Sequence, residues 1–150
     1  MISENGNGLR AHAGEAFSWP LRIYWEDTDA GGVVYHGAYV HFFERARTEY
    51  LRSLGVEQCA LLREYGLVFA IARLELRFDA PARLDDRLQA SCELVARGGV
   101  SLKFTQVLHR VDDNVRIGRA SVRAACLDAA TFKPCAIPAG LFANLDGVSG

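Results

Sequence analysis

Lysine is scarce in this sequence: of 17 basic residues only Lys103 and Lys133 are Lys, and the other fifteen are Arg. That skew reads as composition bias, although arginine also suits phosphate and carboxylate ligands. A surplus of either charge is missing as well. The 17 basic residues face 18 acidic ones, the formal charge is −1, and no block of five or six like charges occurs. Nucleic acid and anionic membrane are therefore not the expected partners. No run approaches the ~18 consecutive apolar residues of a membrane span, and the N-terminus lacks the charged and apolar regions of a signal peptide. A cytoplasmic protein without stable membrane insertion is expected. The four cysteines, Cys59, Cys92, Cys126 and Cys135, contain no C-x-x-C, and no histidine pair has zinc-finger or H-E-x-x-H spacing. Both a disulfide scaffold and a metal site are disfavoured.

What is present is ordinary globular composition. The chain has 150 residues, half of them apolar and 23% charged. Such a length fits one domain able to bury roughly 70% of its unfolded surface. Residues 1–16, with Gly6, Gly8, Asn5, Asn7 and few apolar groups, cannot offset their ordering entropy and read as a flexible tail. The domain is expected over 17–150.

Hydrophobic spacing divides that domain. From Phe17 a period of two places Leu21, Ile23 and Trp25 on one face and Arg22, Tyr24 and Glu26 on the other, which predicts a strand up to the turn-like Asp27–Gly32. Tyr39, Phe43, Ala46, Tyr50 and Leu54 then recur every three or four residues, the spacing of a long helix ending at Gly55. A shorter helix is expected from Glu57 to Tyr65, stopped by Gly66. Beyond it the period returns to two. Arg73, Glu75 and Arg77 alternate with Leu74, Leu76 and Phe78. Leu88 to Leu94 and Val100 to Phe104 alternate likewise. Gly98-Gly99 and Asp112-Asp113-Asn114 mark hairpins, and another strand is expected from Val115 to about Leu127, with a last one bounded by Pro134 and Pro138. The pattern is α+β: an antiparallel sheet with one long helix to cover it.

Two carboxylates, two glycines and a histidine crowd the passage from strand to helix, E-D-T-D-A-G-G-V-V-Y-H-G-A-Y from Glu26 to Tyr39. The first turn of a helix offers unpaired N–H groups and a dipole suited to a polarised carbonyl, and a carboxylate aimed there can attack that carbonyl or activate water. Each residue also has a plainer role. Asp29 reads as a turn residue bonding backbone N–H groups, Asp27 as the acceptor of an Asx-type turn with Thr28, and His36 as a structural histidine. Gly31-Gly32 supplies backbone freedom, Tyr35 and Tyr39 pack, and Glu44 and Glu49 belong to a solvated or ion-paired helix face beside Arg47 and Arg52. The Asp-x-Asp spacing also suits an aspartyl-phosphate phosphatase, but hairpin-linked strands do not make the parallel sheet such an enzyme needs.

The stretch R-I-Y-W-E-D-T-D-A-G-G-V-V-Y-H-G-A-Y, Arg22 to Tyr39, resembles the signature of the 4-hydroxybenzoyl-CoA thioesterase family. F-F-E-R-A-R-T-E-Y-L from Phe42 to Leu51, A-P-A-R-L-D-D from Ala80 to Asp86 and S-L-K-F-T-Q from Ser101 to Gln106 are similar to its Tol-Pal-associated, YbgC-like acyl-CoA thioesterase branch. The resemblance runs from about Trp19 to Pro138. It implies a hotdog fold, with an antiparallel sheet wrapped around one long helix. It also implies homodimers pairing sheets edge to edge, often assembled into homotetramers, with active sites between subunits. Asp29 takes the place of the catalytic carboxylate, as nucleophile or general base. The backbone N–H of His36 is expected to polarise the thioester carbonyl, with its side chain assisting. Tyr35, Gly37, Trp25 and Tyr39 are the expected substrate-binding residues. The family's tyrosine at the position of Trp25 is replaced by an indole, which donates but neither accepts nor ionises. Tyr24, by strand alternation, should face away.

The expected reaction is hydrolysis of an acyl thioester of CoA, or of an acyl carrier protein, without cofactor. Two alternatives remain at this point: a hydratase or dehydratase of acyl thioesters using His36 and Asp29, and a non-catalytic acyl-CoA-binding scaffold. Glu44 is a further candidate nucleophile.

Overall fold

The computed structural model describes residues 16–142. The predicted tail, apart from Ala16, lies outside the described residues. Five strands form one antiparallel sheet: β1 (Phe17–Arg22), β2 (Leu67–Phe78), β3 (Arg87–Arg97), β4 (Ser101–Arg110) and β5 (Arg116–Asp128). Their order is β1-β3-β4-β5-β2, so the chain crosses the sheet between β2 and β3. Two helices, α1 (Ala38–Ser53) and α2 (Gln58–Tyr65), lie between β1 and β2 in the chain. Gly55 and Gly66 stop them with φ of +85° and +65°, a left-handed geometry that side-chain-bearing residues rarely adopt. Helix, sheet and order agree with the hotdog arrangement.

Period determines packing. On α1, Tyr39, Phe42, Phe43, Ala46, Tyr50 and Leu51 are buried, against inward rows such as Leu88, Ala90 and Leu94 of β3 and Leu102, Phe104 and Leu108 of β4. Tyr50 fixes the helix twice. Its ring meets Phe17 edge-on at 5.5 Å, and its hydroxyl accepts the Leu94 N–H at 3.2 Å, beside the irregularity in the β3–β4 ladder between Leu94 and Ala96.

Three sequence expectations give way here. The first strand ends at Arg22, and Trp25–Asp27 form a 3₁₀ turn. Local bonds outcompete the ladder: the Tyr24 N–H donates to Asp27 Oδ2 at 2.8 Å and the Thr28 hydroxyl to the Trp25 carbonyl at 2.7 Å. Alternation therefore does not separate Tyr24 from Trp25, and both are exposed. Second, the segment from Pro134 to Pro138 makes no strand, only an isolated bridge between Leu127 and Pro134. Proline supplies no N–H to extend the ladder. Third, Arg47 does not belong to a solvated helix face; it is only 8% exposed. It lies four residues after Phe43, on the side of α1 that faces the sheet.

The twelve-residue β2 bonds to β5 along one edge. Among the described residues its other edge pairs with no strand. α1 packs on β1 and β3 and leaves the inward face of β2 largely uncovered, so Ile71, Leu74 and Phe78 remain exposed.

Candidate active site

The passage from β1 to α1 is a closed loop. Thr28 bridges Val34, the Tyr35 N–H donates to the Asp27 carbonyl at 2.8 Å, and the Asp29 N–H donates to the Val33 carbonyl at 3.0 Å. These bonds set Asp29 against Val33 near the tip of the loop and Asp27 against Tyr35, next to the helix start at His36 and Gly37. The Val34 N–H donates to the Ala82 carbonyl at 2.9 Å, anchoring the loop to the β2–β3 crossover.

Within the loop the two aspartates do different work. Asp27 holds the 3₁₀ turn by accepting the Tyr24 N–H three residues back, in place of the Asx-type turn expected with Thr28. Asp29 is exposed, and its Oδ1 accepts the Gly31 N–H at 2.8 Å. A Cβ at Gly31 would stand 3.1 Å from that oxygen, a tight contact that would push the carboxylate aside, and Gly32 turns the chain with φ of +79°. The Asx turn expected of Asp29 is thus present, yet it uses one oxygen. Among the described residues Oδ2 bonds no other group, and a carboxylate held by one oxygen retains the other for chemistry.

The helix start leaves backbone donors free. Gly37 is the N-cap of α1 and has no side chain to offer. Among the described residues neither the His36 nor the Gly37 N–H finds an acceptor. These are two unsatisfied donors at the positive end of a sixteen-residue helix. The Tyr35 ring lies over Gly37, where a Cβ would come 2.5 Å from Tyr35 Cε2, and stacks on His36 with centroids 4.5 Å apart. Trp25 stands at the loop surface, 79% exposed. Tyr39 is different. It is buried, its hydroxyl accepts the Ala82 N–H at 3.4 Å, and its ring meets Phe78 at 5.4 Å. Burial, opposed in part by that bond, raises its pKa above the usual phenol value. Of the six expected residues, Trp25, Asp29, Tyr35, His36 and Gly37 lie in the loop and at the helix start, while Tyr39 is buried and secures the helix.

Brought to one carbonyl, a free carboxylate oxygen can add to it or activate water while two unpaired N–H donors stabilise the resulting oxyanion. The described residues hold no cluster of His, Cys, Asp and Glu suited to a metal ion. The model of the thioesterase superfamily matches residues 31–117, more than half of the chain. The chain belongs to the thioesterase superfamily. It is an enzyme of that superfamily, a thioester hydrolase. It is 47% identical over 122 residues to the acyl-CoA thioesterase YbgC of Haemophilus influenzae, covering 81% of this chain and 88% of the relative. Against the acyl-CoA thioester hydrolase YbgC of Escherichia coli it is 45% identical over 128 residues, covering 85% and 94%. The crystal structure of a probable thioesterase from Bartonella henselae superposes with a TM-score of 0.75 at 30% identity, covering 82% of this chain and 99% of that one. The hotdog fold is thereby established.

Sequence reading missed the polar interior of this superfamily member. Arg47 of α1 and Gln106 of β4 are the buried polar residues among those described. The signal was available in each period: Arg47 follows Phe43 and Ala46 on the core side of the helix, and Gln106 interrupts the inward row Leu102, Phe104, Leu108. A cavity of about 190 Å³ opens beside Arg47, between Glu44 and Thr48 on the helix and Phe69, Ile71 and Phe104 on the sheet.

Proposed function

We propose that the chain hydrolyses acyl-CoA thioesters to the free acid and CoA. The observation that carries this reading is the pair of unpaired N–H groups at His36 and Gly37, at the start of the helix that follows the loop carrying the exposed, half-engaged Asp29 carboxylate. In the reading, the thioester oxygen accepts from those N–H groups. Asp29 then either adds to the carbonyl carbon or takes a proton from a water that adds. The tetrahedral oxyanion collapses by breaking the carbon–sulfur bond, and the thiolate leaves. If Asp29 added directly, water cleaves the resulting anhydride and regenerates the carboxylate. The His36 side chain assists proton movement, and Tyr35, Gly37 and Trp25 line the approach. Thioesters of acyl carrier protein offer the same carbonyl. Oxyanion donors of this kind are typically worth about 100- to 1,000-fold in rate.

The reading includes a dimer formed through β2. A free edge of this length carrying exposed Ile71, Leu74 and Phe78 is a template for pairing, and a two-fold copy supplies a self-complementary partner. A reducing, cytoplasmic setting suits the four cysteines, all free thiols. Thiol release from a panel of acyl-CoA substrates tests the activity, with Asp29→Asn as control. Turnover by the wild type and its loss in the variant are expected; near-normal rates from Asp29→Asn would sink the assignment.

A further inference from the structure

The cavity beside Arg47 lies at the opposite end of β2 from the helix start. Phe69 and Ile71, in the N-terminal half of β2, line it. Phe78, at the C-terminal end, packs on Tyr39 in the first turn of α1. Within one protomer, Arg47 is nine residues beyond Ala38, about 14 Å along the helix axis. A cavity of about 190 Å³ is somewhat larger than the roughly 150 Å³ that takes up a benzene molecule, so it admits a short acyl group and none long enough to cover that distance. Antiparallel pairing of β2 with its own copy changes the geometry, because it lays the N-terminal half of one strand against the C-terminal half of the other. Each helix start, with Asp29 and His36, then lies over the partner's cavity.

The chemistry of the cavity selects among acyl groups. Arg47 is more than nine-tenths buried. One guanidinium N–H donates to Gln106 Oε1 at 3.1 Å, and among the described residues no carboxylate lies within ion-pair distance. Burial lowers its pKa, with Cys92 and Glu44 acting in the opposite direction. Glu44 stands exposed at the rim, its Oε1 accepting from the Thr48 hydroxyl at 3.4 Å, and tempers the cation without pairing with it. A guanidinium mostly buried, with spare donors that still meet solvent at a cavity and no counter-charge, is a ready partner for an anion that supplies both acceptors and charge. We propose that Arg47 is a specificity-determining residue, supplied in trans: from the partner protomer it receives an acceptor oxygen at the far end of a short acyl chain, and a carboxylate best of all. Phe69, Ile71 and Phe104 pack the methylene stem. This inference rests on the thioesterase reading and the dimer above.

The test compares kcat/KM by thiol release for succinyl-CoA, 4-hydroxybutanoyl-CoA and butanoyl-CoA, using the full-length dimer. The expected order is carboxylate, then hydroxyl, then methyl. In Arg47→Met the succinyl-to-butanoyl ratio falls at least about 30-fold, the size expected when a buried charge pair loses one partner. A ratio that does not move, or a wild type that prefers butanoyl, overturns the proposal. Glu44→Gln, at an exposed position, keeps the test available if Arg47→Met fails to fold: the same ratio rises several-fold, and an unchanged ratio counts against the proposal. A heterodimer of one Asp29→Asn and one Arg47→Met subunit, isolated through two different tags, tests the placement in trans. It restores one complete site and the wild-type ratio if Arg47 acts across the dimer. It gives the Arg47→Met ratio if both residues serve one protomer, which overturns that part. Activity in the Asp29→Asn homodimer would instead refute the underlying catalytic reading.

Discussion

Gln106 Nε2 donates to the Phe43 carbonyl of α1 at 2.9 Å while its Oε1 accepts from Arg47 at 3.1 Å, so one β4 side chain satisfies a helix carbonyl and a helix cation together. A weaker bond from the same Nε2 reaches the Ser91 carbonyl at 3.4 Å. Replacing Gln106 with Leu removes the acceptor of a buried charge and the second donor to the Phe43 carbonyl, which keeps its helical bond. A loss of about 2–4 kcal/mol is expected, read as a shift of the urea midpoint with little change in slope. Arg47→Met, which removes the charge and refills the space, costs less.

Asp27 and Asp29 separate in their mutational behaviour. Asn at position 29 still accepts from the Gly31 N–H, so Asp29→Asn keeps the loop and the melting temperature while turnover falls by at least about 100-fold. Asp27→Ala removes the acceptor of the Tyr24 N–H and costs about 1 kcal/mol of stability. Parallel thermal melts and thiol-release assays distinguish the two patterns. Stability loss at 29 without rate loss would reverse the assignment of roles.

At Gly37 the constraint is contact, because its φ of −68° suits any residue. A methyl there meets the Tyr35 ring at 2.5 Å, so Gly37→Ala displaces the ring that covers the helix start. About a tenfold loss of kcat/KM is expected from this misplacement. The double variant Gly37→Ala, Tyr35→Ala recovers part of it relative to the sum of the single effects, a coupling readable in a double-mutant cycle.

Acid sensitivity arises away from the site. Arg110 holds the Asp113 carboxyl below its usual range, and the N–H groups of Thr131 and Ala130 do the same for Asp128. A carboxylate whose folded pKa is depressed adds stability that is present above the unfolded value and lost as pH falls through the folded one. Melting temperature should therefore decline as pH drops through and below the ordinary carboxylate range. Asp128→Ala should lie below wild type at neutral pH and converge with it in acid.

Leu74→Asp places a charge on the inward face of the free edge strand. It should shift the molecule to monomer in light scattering and abolish turnover with it. A fully active monomer would show that one chain contains a complete site.

The sequence was most informative where one period ruled a long segment. α1, α2 and β5 were legible to within a residue or two, because burial of one face dictates the spacing, whereas β3 runs three residues past Leu94 and a register shift between Ile71 and Arg73 breaks the alternation of β2. Trp25 was misplaced because the Asp27 carboxylate and Thr28 hydroxyl supply bonds that end the ladder, and hydropathy carries no trace of them. The segment from Pro134 to Pro138 failed for a related reason: prolines mark boundaries without saying what they enclose. In the candidate site, Asp27 and Asp29 each keep one carboxylate oxygen free and differ in where the other is used, on the Tyr24 N–H of the 3₁₀ turn or on the Gly31 N–H of the loop, and that is visible only in three dimensions. Arg47 was legible in principle, being in register with Phe43 and Ala46, but residue type outweighed position in the reading.

Ala82 accepts from the Val34 N–H and donates to the Tyr39 hydroxyl, so one fully buried alanine in the β2–β3 crossover bears both the carboxylate loop and the helix that supplies the oxyanion donors. Connections between strands usually tolerate insertion, yet here a lengthened crossover would shift the loop and the helix start relative to each other. Length variation among relatives should therefore be rare between Asp79 and Asp86 and freer at the β3–β4 and β4–β5 hairpins, a bias imposed by turnover more than by folding.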